Sequence, residues 1–205
     1  PTLNKVRIIS NEAKYGGGIY DGGHKAKPKL YNVTVSQNSA DIDGGGIYIL
    51  QSRNYIEMYD LIVSDNVAGN KGGGIYIFYA DVTIDRGSIH GNTAVEGGGI
   101  FVEGWTVSLA IINTLIYDNL GTGGTSAISV YYRPEVRIYH STISKNTASA
   151  QATIYPDYGS KIYFYNSILW DNEAPKQVAF GDIGNLANTF EARNSIIQGL
   201  GSIEP

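Results

Sequence analysis

The feature that most constrains this chain is that it repeats itself. Gly-Gly-Gly-Ile-Tyr occurs at 16–20, 44–48 and 72–76, and Gly-Gly-Gly-Ile-Phe follows at 97–101. Between these runs a second motif recurs, an aliphatic residue with Asn three positions on: Ile8/Asn11, Val35/Asn38, Val63/Asn66, Ile89/Asn92, Ile116/Asn119, Ile143/Asn146 and Leu169/Asn172. The steps from one Asn to the next are 27, 28, 26, 27, 27 and 26 residues. An eighth copy, Asn194-Ser195-Ile196-Ile197, carries Leu200 where the Asn belongs. A period held this evenly implies that each copy is one structural unit, burying its apolar face against the next. Residues 1–205 therefore read as one domain.

Glycine triplets and β-branched runs both disfavour helix, and the apolar residues alternate with period two. After each glycine run Ile47 and Ile49, Ile75 and Ile77, Ile100 and Val102, and Ile128 and Val130 point one way; Tyr48, Tyr76, Phe101 and Ser129 point the other. A second alternating stretch reads Ile56/Met58, Val82/Ile84, Leu109/Ile111, Val136/Ile138 and Ile162/Phe164, and the Asn motif supplies the third. Three short strands and three corners per copy describe one coil of a parallel β-helix, each strand pairing with its counterpart one coil on. The expectation is an all-β solenoid of about eight coils, stacked at ~4.8 Å around an apolar column.

The recurrent polar residues take structural readings first. Asn11, Asn38, Asn66, Asn92, Asn119, Asn146 and Asn172 form a predicted ladder, because an amide both donates and accepts and can bond its own copy in the next coil; Asn also tolerates the left-handed conformation of a sharp corner. Two residues on, Ala13, Ala40, Ala68, Ala94, Gly121, Ala148 and Ala174 mark a position with room only for a small side chain. Six residues before the ladder, Lys5, Asn32, Asp60, Arg86, Asn113, His140 and Asn166 form a mixed column that reads as an exposed turn between the second and third strands. His140 and His90 are accordingly expected on the surface, and His24 in a loop at 22–28. The glycine triplet becomes Thr125-Ser126-Ala127 and Gln151-Ala152-Thr153 in later copies, which points to packing. No Gly-Lys-Ser/Thr follows, so a phosphate loop is excluded.

Two columns are candidates for function. The outward residues Tyr20, Tyr48, Tyr76, Phe101 and Tyr155, interrupted at Ser129, predict a flat aromatic strip that receives sugar rings or a partner surface, or that stacks to stabilise its own sheet. Just before the glycines, Tyr15, Asp43, Lys71 and Glu96 bring Asp43 beside Lys71 and Lys71 beside Glu96, an alternating surface charge ladder. Asp21, Glu103 and Asp157, assigned to the outer face of the first strand, fall in coils one, four and six. They are too widely spaced for one reacting centre, so no catalytic residue is assigned and a binding role is favoured over catalysis. No calcium-type Gly/Asp repeat is present, so no metal and no cofactor is expected.

Composition narrows the classes further. With no cysteine, zinc ribbons, thiol enzymes and disulfide scaffolds are excluded. A net charge of −4 argues against a nucleic-acid partner, and no stretch approaches the ~18 apolar residues of a membrane-spanning helix. The 42 % apolar content suffices for a core despite only 17 % charged residues.

These motifs resemble the right-handed parallel β-helix repeats of the pectate-lyase-like superfamily. The pairing of aliphatic-x-x-Asn with Gly-Gly-Gly-Ile looks most like the repeats of bacterial polymorphic outer-membrane proteins, Phe-x-x-Asn and Gly-Gly-Ala-Ile. Here Ile, Val or Leu replaces that Phe and Gly replaces that Ala. The resemblance implies a right-handed coil and a bacterial protein that is secreted or held at the outer cell surface. Its implied role is adhesion or carbohydrate contact, with a glycan or a host or cell-surface protein as partner. It also implies the alternatives of a polysaccharide lyase or glycoside hydrolase, and of a purely structural stalk. Solenoids need capped ends, and neither end shows a capping segment; the chain is therefore expected to continue into further coils or an anchoring domain.

Overall fold

The alternating columns become four parallel sheets that run the length of a solenoid. The computed structural model describes residues 1–22, 27–50, 55–181 and 186–199, and no helix occurs among them. One coil is represented by the strands Tyr55–Tyr59, Ile62–Ser64, Val67–Ala68 and Ile75–Phe78. The counterparts of Tyr55–Tyr59 build the second sheet and those of Ile62–Ser64 the third sheet, eight strands each; the counterparts of Val67–Ala68 build the short sheet and those of Ile75–Phe78 the glycine-led sheet, six strands each. In the glycine-led sheet Ile47, Ile75 and Ile100 pair in register, as do Tyr48, Tyr76 and Phe101. This makes about seven turns of four strands, where the sequence suggests eight turns of three. The additional short sheet begins at the ladder Asn and is often only two residues long, as at Val67–Ala68 and Thr93–Ala94, too short to show alternation.

The inward columns are those read from the alternation. Ile56, Met58, Val63, Ile75 and Ile77 of one coil, and their equivalents from Leu30 to Leu169, lie in one continuous buried cluster. Each such side chain contributes roughly 1.5–3 kcal/mol on full burial.

The corners are made by single left-handed residues. The mixed polar column, Lys5, Asn32, Asp60, Arg86, Asn113, His140, Asn166 and Asn194, has φ between 49 and 55° at every position. A left-handed L-residue costs roughly 1–2 kcal/mol. The cost is offset because the parallel backbone ladder runs straight through the corner: Asn32 N–H donates to Tyr59, Asp60 to Asp85, Arg86 to Ile112 and Asn113 to Tyr139. Side-chain identity is then free to vary. At the next corner the left-handed residue is Ser10, Gln37, Asp65, Gly91, Asp118, Lys145 or Asp171, one position before the ladder Asn. The ladder Asn is therefore kept for its amide and not for its backbone conformation, a correction to the sequence reading.

The ladder itself is repetitive. Asn66 donates from its backbone N–H (3.0 Å) and from Nδ2 (2.9 Å) to Asn92 Oδ1, and its Nδ2 also reaches the Val35 carbonyl at 3.0 Å. The same pattern links Asn11 to Asn38 and runs on to Asn172. Asn172 closes the series by bonding Gln177 in both directions at 3.1 Å; Leu200 lies outside the described residues. A second ladder was not read from the sequence. Gly87, Thr114, Ser141, Ser167 and Ser195 follow the polar column, and each backbone N–H donates to the hydroxyl of the next at 3.1 Å. Its first three positions are the apolar Val6, Val33 and Leu61, which hide the pattern.

Glycine is required for two separate reasons in one triplet. Gly44 has φ +67°, whereas Gly45 needs space, since a Cβ there would stand 2.5 Å from the Gly73 carbonyl oxygen and 2.5 Å from Val67 backbone atoms.

Candidate functional site

The bend at the glycines is concave outward, and this decides the fate of the aromatic column. After the bend Tyr48, Tyr76 and Phe101 form a second buried apolar cluster outside the main core; from before the bend Tyr15 packs on Tyr48 with ring centres 5.2 Å apart and Lys71 Nζ lies over the Phe101 ring. Tyr20, Tyr48, Tyr76 and Phe101 stack face to face, with centroids 5.4, 4.8 and 5.6 Å apart and ring planes within 10°. The gap at Ser129 is closed by Tyr131, which lies 5.2 Å from Phe101 and 5.9 Å from Tyr155. The stack is therefore continuous but not open. Tyr48 is 8 % exposed, Tyr76 6 % and Phe101 fully buried, while Tyr20 at 54 % keeps its ring in solvent. A sugar packs on a ring face, and in this column the faces are taken by the neighbouring rings. The open flat strip suggested by the sequence is thus limited to Tyr20 and the half-buried Tyr155.

The charged residues at this bend also differ from the expected ladder. The backbones pair as Asp43 with Lys71 and Lys71 with Glu96. Asp43 is buried, however, and its Oδ1 accepts from Asn70 Nδ2 and from the Lys71 backbone N–H, both at 3.0 Å. Lys71 Nζ turns instead to Glu103 Oε2 at 3.2 Å and lies 4.5 Å from the centre of the Phe101 ring. Tyr76 donates to the same Glu103 oxygen at 3.1 Å. Burial raises the Asp43 carboxyl above its ordinary value. Burial, aided by Asp43, pushes the Tyr48 phenol up to about 12. The Tyr76 and Tyr131 phenols are raised as well, by burial first and by Glu103 and Glu96 respectively second. All three phenols are donors at neutral pH. This arrangement brings Lys71 and Glu103 together, which the sequence reading kept apart. Asp21 pairs with Ile49 of the inward column, so it does not share the register position of Glu103. Asp157 is buried and accepts the Tyr158 N–H at 2.7 Å.

The corner after the glycine-led strand is different in kind. The corners on either side of the third sheet keep two residues from coil to coil, whereas this one holds seven between Asp21 and Lys29, two between Phe78 and Asp81, and four between Glu103 and Ser108. Insertions that collect on one face of a repeat protein mark its usual binding face. His24 belongs to this corner by sequence but lies outside the described residues. In coils four to six the loops at 104–107, 132–134 and 157–160 frame a groove of about 480 Å³. Trp105 is 47 % exposed at its rim, with the Arg133 guanidinium 4.7 Å from its ring centre. Arg137 and Lys161 rise from adjacent strands of the second sheet, and Glu135 is ion-paired with Arg137. Tyr132 and Tyr158 pair beside it at 5.0 Å. A smaller depression of about 410 Å³ around Asn32, Asp60 and Arg86 has no aromatic wall, and its charges already pair at 2.7 Å. Among the described residues no three His, Asp or Glu side chains are grouped to hold a metal ion.

The match to a known family fits this geometry. The family model described as "Right handed beta helix region" covers residues 15–195. The chain is a right-handed β-helix protein. No curated protein and no solved structure matches it. The family assignment agrees with the solenoid of this β-helix, and the corner after the glycine-led strand is where its coils differ most in length.

Proposed function

We propose that this β-helix is a non-catalytic binding rod of a secreted or cell-surface protein, acting in adhesion through contact with carbohydrate. The reading agrees with the likeness of its repeats to those of the pectate-lyase-like superfamily and of bacterial outer-membrane adhesins. The observation that carries it is the groove at the variable corner. Trp105 supplies an accessible ring for the apolar face of a sugar, and Ser108 and the flanking cations supply hydrogen-bonding groups beside it. The two side-chain ladders at the regular corners hold together the coils that carry those loops. Glycan-array binding tests the reading: Trp105→Ala loses the signal, whereas Tyr48→Ala retains it wherever the fold is intact. An equal signal from Trp105→Ala, or no signal from the unmodified protein, removes carbohydrate contact at this groove and leaves the stalk reading.

A second reading, a polysaccharide lyase or glycoside hydrolase, is favoured by one observation. Lys71 Nζ and the Tyr76 hydroxyl both bond Glu103 Oε2, at 3.2 and 3.1 Å, and the Tyr76 phenol is raised by burial first and by Glu103 second. Such a set can move a proton. New reducing ends released from uronate-containing polysaccharides, and abolished by Glu103→Gln, support it over the binding role.

A further inference from the structure

The charge around Trp105 specifies more than a sugar in general. Arg133 and Arg137, from one coil's loop and the strand that follows it, and Lys161, from the next coil, converge on the groove, and Glu135 is the one carboxylate among the residues that line it. The Glu135 charge is already met by Arg137. That leaves Arg133 and Lys161, neither of which has an ion-pair partner among the described residues, in a protein whose overall charge is −4. A local excess of cations on an acidic protein serves to attract and hold an anion.

The arrangement also places a cation beside the ring. The Arg133 guanidinium carbon lies 4.7 Å from the centre of the Trp105 ring, a cation–π contact that holds an oxyanion-binding group next to the indole. Lys161 pairs with Glu135 one coil back, and Glu135 with Ser108 one coil before that. One column thus offers a hydroxyl, a carboxylate and an ammonium at ~4.8 Å intervals along the axis. A ligand running along that axis meets an apolar ring at one coil and a cation at the next two.

We infer that the groove formed by Trp105, Arg133, Arg137 and Lys161 binds an acidic glycan, a saccharide chain whose carboxylate or sulfate groups are taken by Arg133 and Lys161 while a sugar ring packs on Trp105. This rests on the carbohydrate-contact reading above and names the class of glycan.

Affinity electrophoresis in gels containing polygalacturonate, dextran sulfate or uncharged dextran tests it, with folding of each variant checked by thermal melting. Retardation is expected in one or both anionic gels and not in dextran, and polygalacturonate against dextran sulfate tells carboxylate from sulfate. Arg133→Gln and Lys161→Gln each weaken that retardation by about tenfold, as expected for loss of one charge-assisted contact. Arg7→Gln, an exposed cation on the third sheet, leaves it unchanged. Equal retardation in dextran and the anionic gels, lost only with Trp105→Ala, overturns the acidic-glycan inference and keeps the carbohydrate reading. Equal weakening by Arg7→Gln reduces the effect to unspecific charge and overturns the inference. No retardation in any gel overturns both.

Discussion

Removing one rung from the middle of the asparagine ladder should cost several times what removing its first rung costs. Asn92 is fully buried. Its Nδ2 donates to Val63 O at 2.9 Å and to Asn119 Oδ1 at 3.0 Å, and its Oδ1 accepts from the backbone N–H and Nδ2 of Asn66. Asn92→Ala deletes these four bonds and leaves the Asn66 N–H without its acceptor inside the protein. At about 1 kcal/mol net for each bond, with a further penalty for the stranded donor, the loss is about 3–5 kcal/mol. Asn11, in contrast, is exposed; its side chain donates to Ile9 O and Asn38 Oδ1, and its loss should cost about 0.5–1 kcal/mol. Urea denaturation followed by circular dichroism measures both. With a slope of about 2 kcal/mol per molar urea, the midpoint falls by about 2 M for Asn92→Ala and by under about 0.5 M for Asn11→Ala. The isosteric Asn92→Asp adds a sign test. It places a carboxyl against two acceptors, so its folded pKa is raised, and the damage is least in acid and grows as pH rises through that pKa. Equal midpoints for Asn92→Ala and Asn11→Ala would refute the view that the amide ladder holds the coils together.

Three further outcomes follow from the concave bend. Phe101→Ala, which empties a fully buried site between Tyr76 and Tyr131, should lower stability by about 3–5 kcal/mol, while Tyr20→Ala costs under about 1 kcal/mol; urea midpoints compare them. The raised Asp43 carboxyl binds its proton more tightly folded than unfolded, so its contribution is fully present below the ordinary value of 3.8 and is lost as pH rises through the folded pKa. The midpoint of the unmodified protein, measured against Asp43→Asn, should therefore decline from acid to neutral pH; a flat difference contradicts this. Gly45→Ala, whose Cβ would strike the Gly73 carbonyl, should destabilise by about 2–3 kcal/mol, readable as a fall in melting temperature.

The columns that were legible in the sequence are those governed by a strict period. The inward Ile, Val, Leu and Phe positions and the ladder Asn recur because each meets its own copy one coil away, so local pattern and tertiary contact carry the same information. The features that escaped are those set by angle. Nothing in Gly-Gly-Gly-Ile-Tyr states that the bend is concave, and the concavity is what turns the outward Tyr48, Tyr76 and Phe101 into buried residues. The same bend lets Lys71 pass Asp43 and Glu96 and reach Glu103, a residue 32 positions on. The face of Asp21, in contrast, is legible from the same alternation: it stands two residues after Ile19 in Gly-Gly-Gly-Ile-Tyr-Asp and so falls in the inward column, paired with Ile49, and not on the outer face expected of it. The left-handed corners were hidden by their variable side chains, since the backbone ladder alone holds Lys5, Arg86 and His140 at positive φ. The groove at Trp105 was not legible, because it is assembled from three loops of unequal length with no shared motif.

The most direct test uses the fact that the chain has two tryptophans, Trp105 in the groove and Trp170 exposed on the third sheet. In Trp170→Phe, titration with polygalacturonate and with dextran sulfate should change Trp105 emission along a saturable curve with at least one of them, and uncharged dextran should leave it unchanged. Binding that alters emission only in Trp105→Phe, through Trp170, or leaves Trp105 emission untouched, would contradict the assignment of the groove.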